Sequence, residues 1–146
     1  MVHLAGSIVI ERPIEEVFDF VADERNEPTY NSALLRSEKV TDGPIGLGTK
    51  FSASHKQGRR ALDMDIELTG YERPTRLAST TRMSMFDTEG ELTFEPVRTG
   101  STTLRWEWDL HFKGAAKLLA PVAGLIGRRS ERACWEGLKR HLESGE

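Results

Sequence analysis

The strand predicted at residues 104–112, LRWEWDLHF, decides the fold of this chain. Its side chains alternate between apolar and polar with a period of two, which is typical of a strand with one buried face and one wet face. The apolar positions are Leu104, Trp106, Trp108, Leu110 and Phe112. A slip of one residue would turn all of them toward solvent, so the register is strongly specified. The sheet that contains this strand therefore needs another element to cover its apolar face.

Upstream of this strand, alternating runs of the same kind fill the chain from residue 34 onward. Turn-forming clusters separate the runs, at residues 42–44, 57–58, 73–74 and 99–100. Short alternating runs divided by Gly and Pro predict strands that turn back on one another. The middle of the chain is therefore expected to form an antiparallel meander.

The N-terminal segment predicts one more strand and then a helix. Apolar residues alternate from Leu4 to Ile10. Pro13 suits the first position of a helix, and the apolar residues after it have helical spacing up to a stop near Asp23. The polar stretch 24–32 is interpreted as a second short helix or a loop that leads back into a strand.

The C-terminal residues 113–143 change to a helical period. Pro121 removes a backbone donor, which predicts a break, with a short helix before it and the main helix after it. The predicted inward stripe is Leu119, Val122, Ile126, Ala133 and Gly137. This is the only predicted element long enough to cover the sheet. The sequence therefore predicts an α+β fold in a single domain over residues 1–146.

Composition and charge limit the classes of partner. A chain of 146 residues can bury a core without disulfide or metal staples. Lys and Arg number 20 against 23 Asp and Glu, and the net charge of -3 opposes binding to nucleic acid. The lone Cys134 fits a reducing compartment, and no targeting segment or run of roughly 18 apolar residues is present. A cytoplasmic location without stable membrane insertion is expected.

Motifs for common kinds of catalysis are missing from the sequence. No G-x-S-x-G elbow occurs, and no pair of histidines has metal-ligand spacing with a cysteine or carboxylate, so neither a metal nor a cofactor is expected. Cys134 is interpreted as a small apolar helix residue. Arg128, Arg129 and Arg132 form a basic cluster that could attract a ligand with a carboxylate or phosphate group. The favoured interpretation is a solvated helix face, in which Glu131 and Glu136 pair with cations.

Three polar residues stand at expected inward positions of the strands, namely His55, Ser79 and Thr81. Polar groups are costly to bury without partners, so they would suit a cavity between a curved sheet and the C-terminal helix. His55 is the best acid-base candidate, and the alternative is a strand-end histidine that shares hydrogen bonds with solvent. Trp106 and Trp108 suit stacking on an aromatic ligand, and plain core packing explains them equally well.

Several segments together resemble a known family. Residues 8–18, IVIERPIEEVF, are followed by Ala22-Asp23, Asn26, Pro28 and Tyr30. Later segments of the same pattern are 46–49 (GLGT), 71–74 (YERP), Arg76-Leu77, 92–96 (LTFEP), and Gly100 before the tryptophan strand. This pattern resembles the polyketide cyclase/dehydrase branch of the START-like, or SRPBCC, superfamily. Arg12 and Tyr30 depart from it, standing where a small residue and a tryptophan are usual.

The resemblance implies a helix-grip fold. In that fold a curved antiparallel sheet of about seven strands wraps a long C-terminal helix, two short helices follow strand one, and a hydrophobic pocket opens between the helix and nearby loops. The residues expected to line the pocket are Tyr30, Phe51, His55, Met64, Ile66, Ser79, Thr81, Leu92, Phe94, Trp106, Trp108, Val122, Ile126 and Ala133.

Three functions are open at this point. The first hypothesis is a module that binds a small hydrophobic or aromatic molecule in the cavity. The second is a polyketide cyclase or dehydratase that shapes a reactive chain there, with His55 or Tyr30 moving protons. The third is a protein-interaction domain with a vestigial cavity. The expected partner is a small hydrophobic molecule, and the chain is expected to act as a monomer or a homodimer.

Overall fold

The computed structural model describes residues 1–145. It has seven strands: β1 (Val2–Ile10), β2 (Leu34–Lys39), β3 (Lys50–Gln57), β4 (Arg60–Glu72), β5 (Arg76–Arg82), β6 (Phe86–Arg98) and β7 (Ser101–Phe112). Three α-helices are α1 (Ile14–Ala22), α2 (Glu27–Tyr30) and α3 (Ala120–Ser144), and short 3-10 segments cover Glu24–Asn26 and Gly114–Leu119. The predicted α+β order of a strand, two short helices, a meander and a long helix is confirmed.

All seven strands form one antiparallel sheet in the order β1-β7-β6-β5-β4-β3-β2. Every neighbouring pair except β1 and β7 is joined by a direct hairpin or loop, as expected of a meander. The register places Trp106 opposite Gly6 on one side and Leu92 on the other. Because residues directly opposite each other share a face of the sheet, the alternation predicted for β7 fixes the concave face of its neighbours as well.

Gly6 makes room for the largest side chain on this face. A Cβ atom built on Gly6 would lie 2.3 Å from Cζ2 of Trp106, closer than real carbon atoms approach. Trp106 is buried across this gap, and its ring stacks on Trp135 of α3 with centroids 6.0 Å apart. The glycine in β1 therefore lets a tryptophan of β7 reach the helix.

One end of the molecule is tightly packed, and it will be called the closed half: α1, α2 and the C-terminal half of α3 (residues 131–144) against the sheet. Phe18 of α1 is fully buried and makes edge contacts with Phe94 and Tyr71, with ring centroids 5.1 and 5.3 Å away. Leu138 of α3 is 0% exposed in the same cluster. Each such side chain stabilises the fold by about 1.5–3 kcal/mol through the removal of apolar surface from water.

The other end is less covered, and it will be called the open half: the N-terminal half of α3 (residues 120–130) and the half-buried positions of the concave face, which are His55, Leu62, Ser79, Thr81 and Trp108. Val122 is 59% exposed and Ile126 is 58% exposed, and Leu125 is exposed beside them. Even so, no helix within residues 1–145 is long and apolar enough to cross a membrane. The N-terminal half of α3 therefore leaves apolar side chains exposed.

The predicted inward stripe is wrong for Leu119, Val122, Ile126 and Ala133, which are exposed, and confirmed for Gly137. The buried stripe contains Gly124, Cys134, Trp135, Gly137, Leu138 and Leu142. Glycines explain the difference, because a Cβ on Gly127 would lie 2.8 Å from Leu4 Cδ1 and one on Gly124 would lie 3.4 Å from Val2 Cγ1. These small residues let α3 settle against β1, which rotates the predicted stripe away from the sheet.

The predicted break at Pro121 is confirmed. A 3-10 segment ends at Leu119, and α3 begins at Ala120 with the proline in its first turn, where its missing N–H leaves no helical bond unmade.

Candidate functional site

The three polar residues expected to face inward lie on the concave face. His55 is opposite Leu34 and Leu62, Ser79 is opposite Leu68, and Thr81 is opposite Ile66. All three polar side chains are half-buried. Ser79 and Thr81 thus place hydroxyl groups on the part of the sheet that the open half leaves accessible.

The other expected lining residues divide between the two halves. Six of them belong to the buried core, namely Phe51, Met64, Ile66, Leu92, Phe94 and Trp106. Trp108 lies at the border, half-buried and packed against that core. Tyr30 is buried in the closed half, where its ring centroid is 6.3 Å from that of Trp135. A ligand of the concave surface would therefore meet Trp108 and the strand hydroxyl groups before the closed core.

The exposed stripe of α3 lies on the side of the helix that faces α2. Ile126 and Gly137 are eleven residues apart, about three helical turns, so they share a face. A Cβ on Gly137 would lie 2.2 Å from the carbonyl oxygen of Tyr30 in α2. The same face that contacts α2 in the closed half is thus exposed at Val122 and Ile126 in the open half.

Glu131 of α3 is a site residue that the sequence interpretation missed. Its Oε2 accepts hydrogen bonds from Trp135 Nε1 at 2.9 Å and from Trp108 Nε1 at 3.2 Å. The interpretation of Glu131 as a member of a solvated charge pair is therefore wrong. Its position four residues before Trp135 and seven before Leu138 could have revealed it, because that spacing puts it on the buried stripe.

The surroundings of Glu131 change its acidity. Burial raises the pKa of this carboxyl from 4.5 to about 7, and the charge of Glu27 acts in the same direction. The two indole N–H donors stabilise the ionised form and offset part of that effect. Glu131 is therefore poised to gain or lose a proton near neutral pH, the property required of a general acid or base.

Two more carboxyl groups lie near Glu131, and with it they form the carboxyl cluster of Glu24, Glu27 and Glu131. Burial is the main cause that raises the pKa of Glu24 and of Glu27. Glu24 Oε2 is sealed from solvent and has no hydrogen-bond partner among residues 1–145 as a carboxylate. Protonated Glu24 donates a hydrogen bond to the carboxyl of Glu27, and Asn31 Nδ2 donates to Glu27 Oε2 at 3.1 Å.

The neighbours of the cluster are acids as well. Burial raises the pKa of Tyr30 and of Cys134, and the charges of Glu24, Glu27 and Glu131 add to it. Both side chains are therefore protonated at neutral pH. His55 has the opposite response, because burial lowers the pKa of its imidazole below 6.5 and leaves it neutral at pH 7. Within residues 1–145, no three His, Cys, Asp or Glu side chains are arranged to hold a metal ion.

The convex face offers a different kind of surface. A depression of about 510 Å³ there has Arg76, Glu89, Glu91, Glu107 and Asp109 among its lining residues. Arg76 forms ion pairs with Glu91 and Glu72. Charged groups that are already paired give an apolar molecule little to bind, so the concave face is the better candidate.

Solved structures with the same architecture are numerous. A START superfamily protein from Mycobacterium smegmatis superposes with a TM-score of 0.86 at 12% identity, over 99% of each chain. The ZhuI aromatase/cyclase from Streptomyces sp. R1128 gives 0.81 at 11% identity, over 97% of this chain and 93% of that one. The di-domain ARO/CYC BexL from the BE-7585A biosynthetic pathway gives 0.79 at 16% identity, over 98% of this chain and 47% of that one. At these identities the likeness shows the helix-grip fold alone.

The family comparison covers almost the whole chain. No curated protein matches the sequence. The model of the family described as polyketide cyclase / dehydrase and lipid transport matches residues 1–143. The resemblance found at residues 8–30 and in the later segments is thereby confirmed, and the chain belongs to the polyketide cyclase / dehydrase and lipid transport family.

Proposed function

We propose that this protein binds a small hydrophobic, at least partly aromatic, molecule between the concave face of β3 to β6 and the N-terminal half of α3. The observation that carries the proposal is the open half itself. Val122 and Ile126 expose apolar surface at its edge, and Trp108 is only half-buried beside it. Exposed apolar surface next to a concave face with a few polar groups is typical of a ligand site.

The polar groups of the concave face suit orientation of such a ligand. Ser79 and Thr81 offer hydroxyl groups that donate and accept, and a neutral His55 offers one donor and one acceptor. The half-buried ring of Trp108 offers a flat apolar surface for stacking. Family membership supports the same conclusion, since the family description includes lipid transport.

A second candidate function is an enzyme of the cyclase or dehydratase type in the same place. One observation favours it: Glu131 has a pKa of about 7 and lies beside Trp108, at the border of the open half. Such a carboxyl could move a proton of a bound ligand, and Tyr30 is near it as a second donor. Turnover of a polyketide substrate that survives in both Glu131→Gln and His55→Ala would contradict this candidate.

Intrinsic tryptophan fluorescence tests the binding proposal. The protein is titrated with emodin, naringenin and palmitic acid, and at least one is expected to change the emission of Trp108. Ile126→Lys puts a charge at the edge of the site and should weaken binding at least about tenfold, since a buried lysine loses hydration. Val97→Lys makes the same change at a similarly exposed apolar residue of β6 and serves as the matched control.

A flat response to all three compounds would contradict the proposal. Equal loss of affinity in Ile126→Lys and Val97→Lys would also contradict it, because binding would then depend on net charge rather than on the site. The free energies of unfolding of the two variants should match that of the parent protein within about 0.5 kcal/mol, as is usual for exposed positions.

A further inference from the structure

The carboxyl cluster of Glu24, Glu27 and Glu131 lacks the cations that normally accompany buried acids. No lysine, arginine or histidine contributes to the pKa of any of the three among the residues described. Among residues 1–145, the hydrogen bonds of these three carboxyl groups are with one another, with the amide of Asn31 and with two indole N–H groups. Buried charges are otherwise paired or coordinate metals. The cluster is therefore short of positive charge.

The two oxygen atoms of the Glu131 carboxyl have different surroundings. Oε2 takes both indole donors. Oε1 has no hydrogen-bond partner among residues 1–145, and it is not one of the oxygen atoms sealed from solvent. One oxygen is thus held in place, and the other is available to a donor outside the protein.

Aromatic rings surround this carboxyl group. Trp108 and Trp135 donate to it, Trp106 stacks on Trp135 at 6.0 Å, and the ring of Tyr30 lies 6.3 Å from that of Trp135. The faces of tryptophan and tyrosine rings attract cations, with the strongest effect where water is excluded. The guanidinium of Arg132 already lies 5.2 Å from the centroid of Trp106, so the carboxyl oxygen of Glu131 without a partner is the group left to recognise an ammonium.

We propose that the ligand of this protein carries a basic nitrogen, and that its ammonium group binds Glu131 Oε1 beside Trp108 and Trp135. This inference rests on the proposed function and specifies the ligand class for the same site. On binding, the ammonium N–H donates to the carboxylate, and the proton that Glu131 held in the empty site passes to solvent.

The groups that face Glu131 give the pH dependence one sign. Glu24, Glu27 and Tyr30 on the opposing elements and Cys134 on α3 are all acids whose pKa is raised by burial. A cation binds better as any of them ionises. Affinity for an amine should therefore rise as the pH increases through about 7. Affinity for a neutral ligand that accepts a hydrogen bond from protonated Glu131 should fall over the same range.

Calorimetric titration with tryptamine and tryptophol tests this proposal, because the two indoles differ only in an amine and a hydroxyl group. Near pH 8 tryptamine should bind at least about tenfold more tightly, and lowering the pH by about two units should weaken its binding roughly tenfold. Glu131→Gln keeps an acceptor for the indole N–H groups and should abolish the preference. Glu136→Gln, exposed on the same helix, should keep it.

The outcomes separate the two proposals. Equal binding of tryptamine and tryptophol, or tighter binding of tryptophol, would overturn the amine proposal and leave the apolar site standing. If the protein binds emodin but does not bind tryptamine, the same conclusion follows. If no compound of either set binds, the proposed function itself fails. Should Glu131→Gln not fold, the pH dependence of the parent protein decides, and an affinity for tryptamine that does not rise as the pH increases through about 7 would overturn the amine proposal.

Discussion

Both halves of α3 carry apolar side chains, but these side chains differ in how far they are buried. In the closed half, Leu138 and Leu142 are buried against the sheet. In the open half, Val122 and Ile126 are apolar too, yet more than half of each is exposed. The difference comes from the two helix faces, because Leu138 and Leu142 lie on the stripe that packs against the sheet, whereas Val122 and Ile126 lie on the face that contacts α2 at Gly137. Apolarity along a helix predicts a buried stripe only where a partner surface exists.

The largest expected effect comes from opening the closed half. Leu138→Ala removes a fully buried side chain from the core and should lower the free energy of unfolding by about 2–5 kcal/mol, since lost burial and a residual cavity add together. Denaturant unfolding measures it. A loss below about 1 kcal/mol would mean that the closed half is not tightly packed.

The burial of Glu131, at the border between the two halves, should make the stability of the protein depend on pH. In the folded protein the pKa of Glu131 is about 7, against an ordinary value of 4.5, so the folded state holds the proton more tightly than the unfolded state does. Stability conferred by the neutral carboxyl is full below about pH 4.5 and is lost as the pH rises through about 7. Glu131→Gln should remove that loss, which amounts to roughly 3 kcal/mol at most.

The comparison uses unfolding curves of Glu131→Gln and of the parent protein from about pH 4.5 to pH 8. The variant should gain relative stability steadily over that range. Glu136→Gln, on the exposed face, should run parallel to the parent protein. Parallel curves for all three proteins would contradict the burial of Glu131.

Gly6→Ala tests the contact that joins β1 to β7 and α3. The new methyl group would collide with Trp106 and should cost about 1–3 kcal/mol, with a shift in tryptophan emission as the ring moves. Gly46→Ala is the control, since nothing lies within 4 Å of a Cβ there. Equal stability of the two variants would mean that Trp106 does not lie over Gly6.

The smallest expected effect is that of Ile126→Ala in the open half. The side chain is 58% exposed, so its removal should change the free energy of unfolding by no more than about 0.5 kcal/mol. Set beside Leu138→Ala on the same helix, it measures the contrast directly. A cost near that of Leu138→Ala would show that the two halves are equally packed.

The sheet was predictable because its side chains report a single local geometry. The alternation of Trp106 and Trp108 with Glu107 and Asp109 gives the strand, its buried face and its register without knowledge of any partner. The break at Pro121 has the same local character, because a missing N–H acts wherever the helix lies.

The orientation of α3 was less predictable because it depends on contacts across the chain. Gly124 and Gly127 add little to a hydrophobic stripe, yet they decide which face approaches Val2 and Leu4 of β1. That rotation also carries Glu131 inward, where two indole donors make its burial tolerable. A carboxylate among arginines on a helix predicts a surface pair, and only the fold brings Trp108 to it.

The candidate site was accordingly predicted in part. His55, Ser79 and Thr81 follow from strand parity, and the structure places them on the concave face. The carboxyl cluster combines a 3-10 segment, α2 and α3, which no spacing rule connects. Glu24 and Glu27 stand in a polar stretch that resembles any surface turn.

The most direct test of the concave site is an NMR titration that follows indole and amide N–H signals. The ligand for this titration is the compound that binds most tightly in the fluorescence series. The binding proposal predicts shifts of the indole signals of Trp108 and Trp135 together with the amide of Thr81, while Thr69 and Glu89 on the convex side stay unchanged. Shifts confined to Thr69 and Glu89, with both indole signals still, would contradict it.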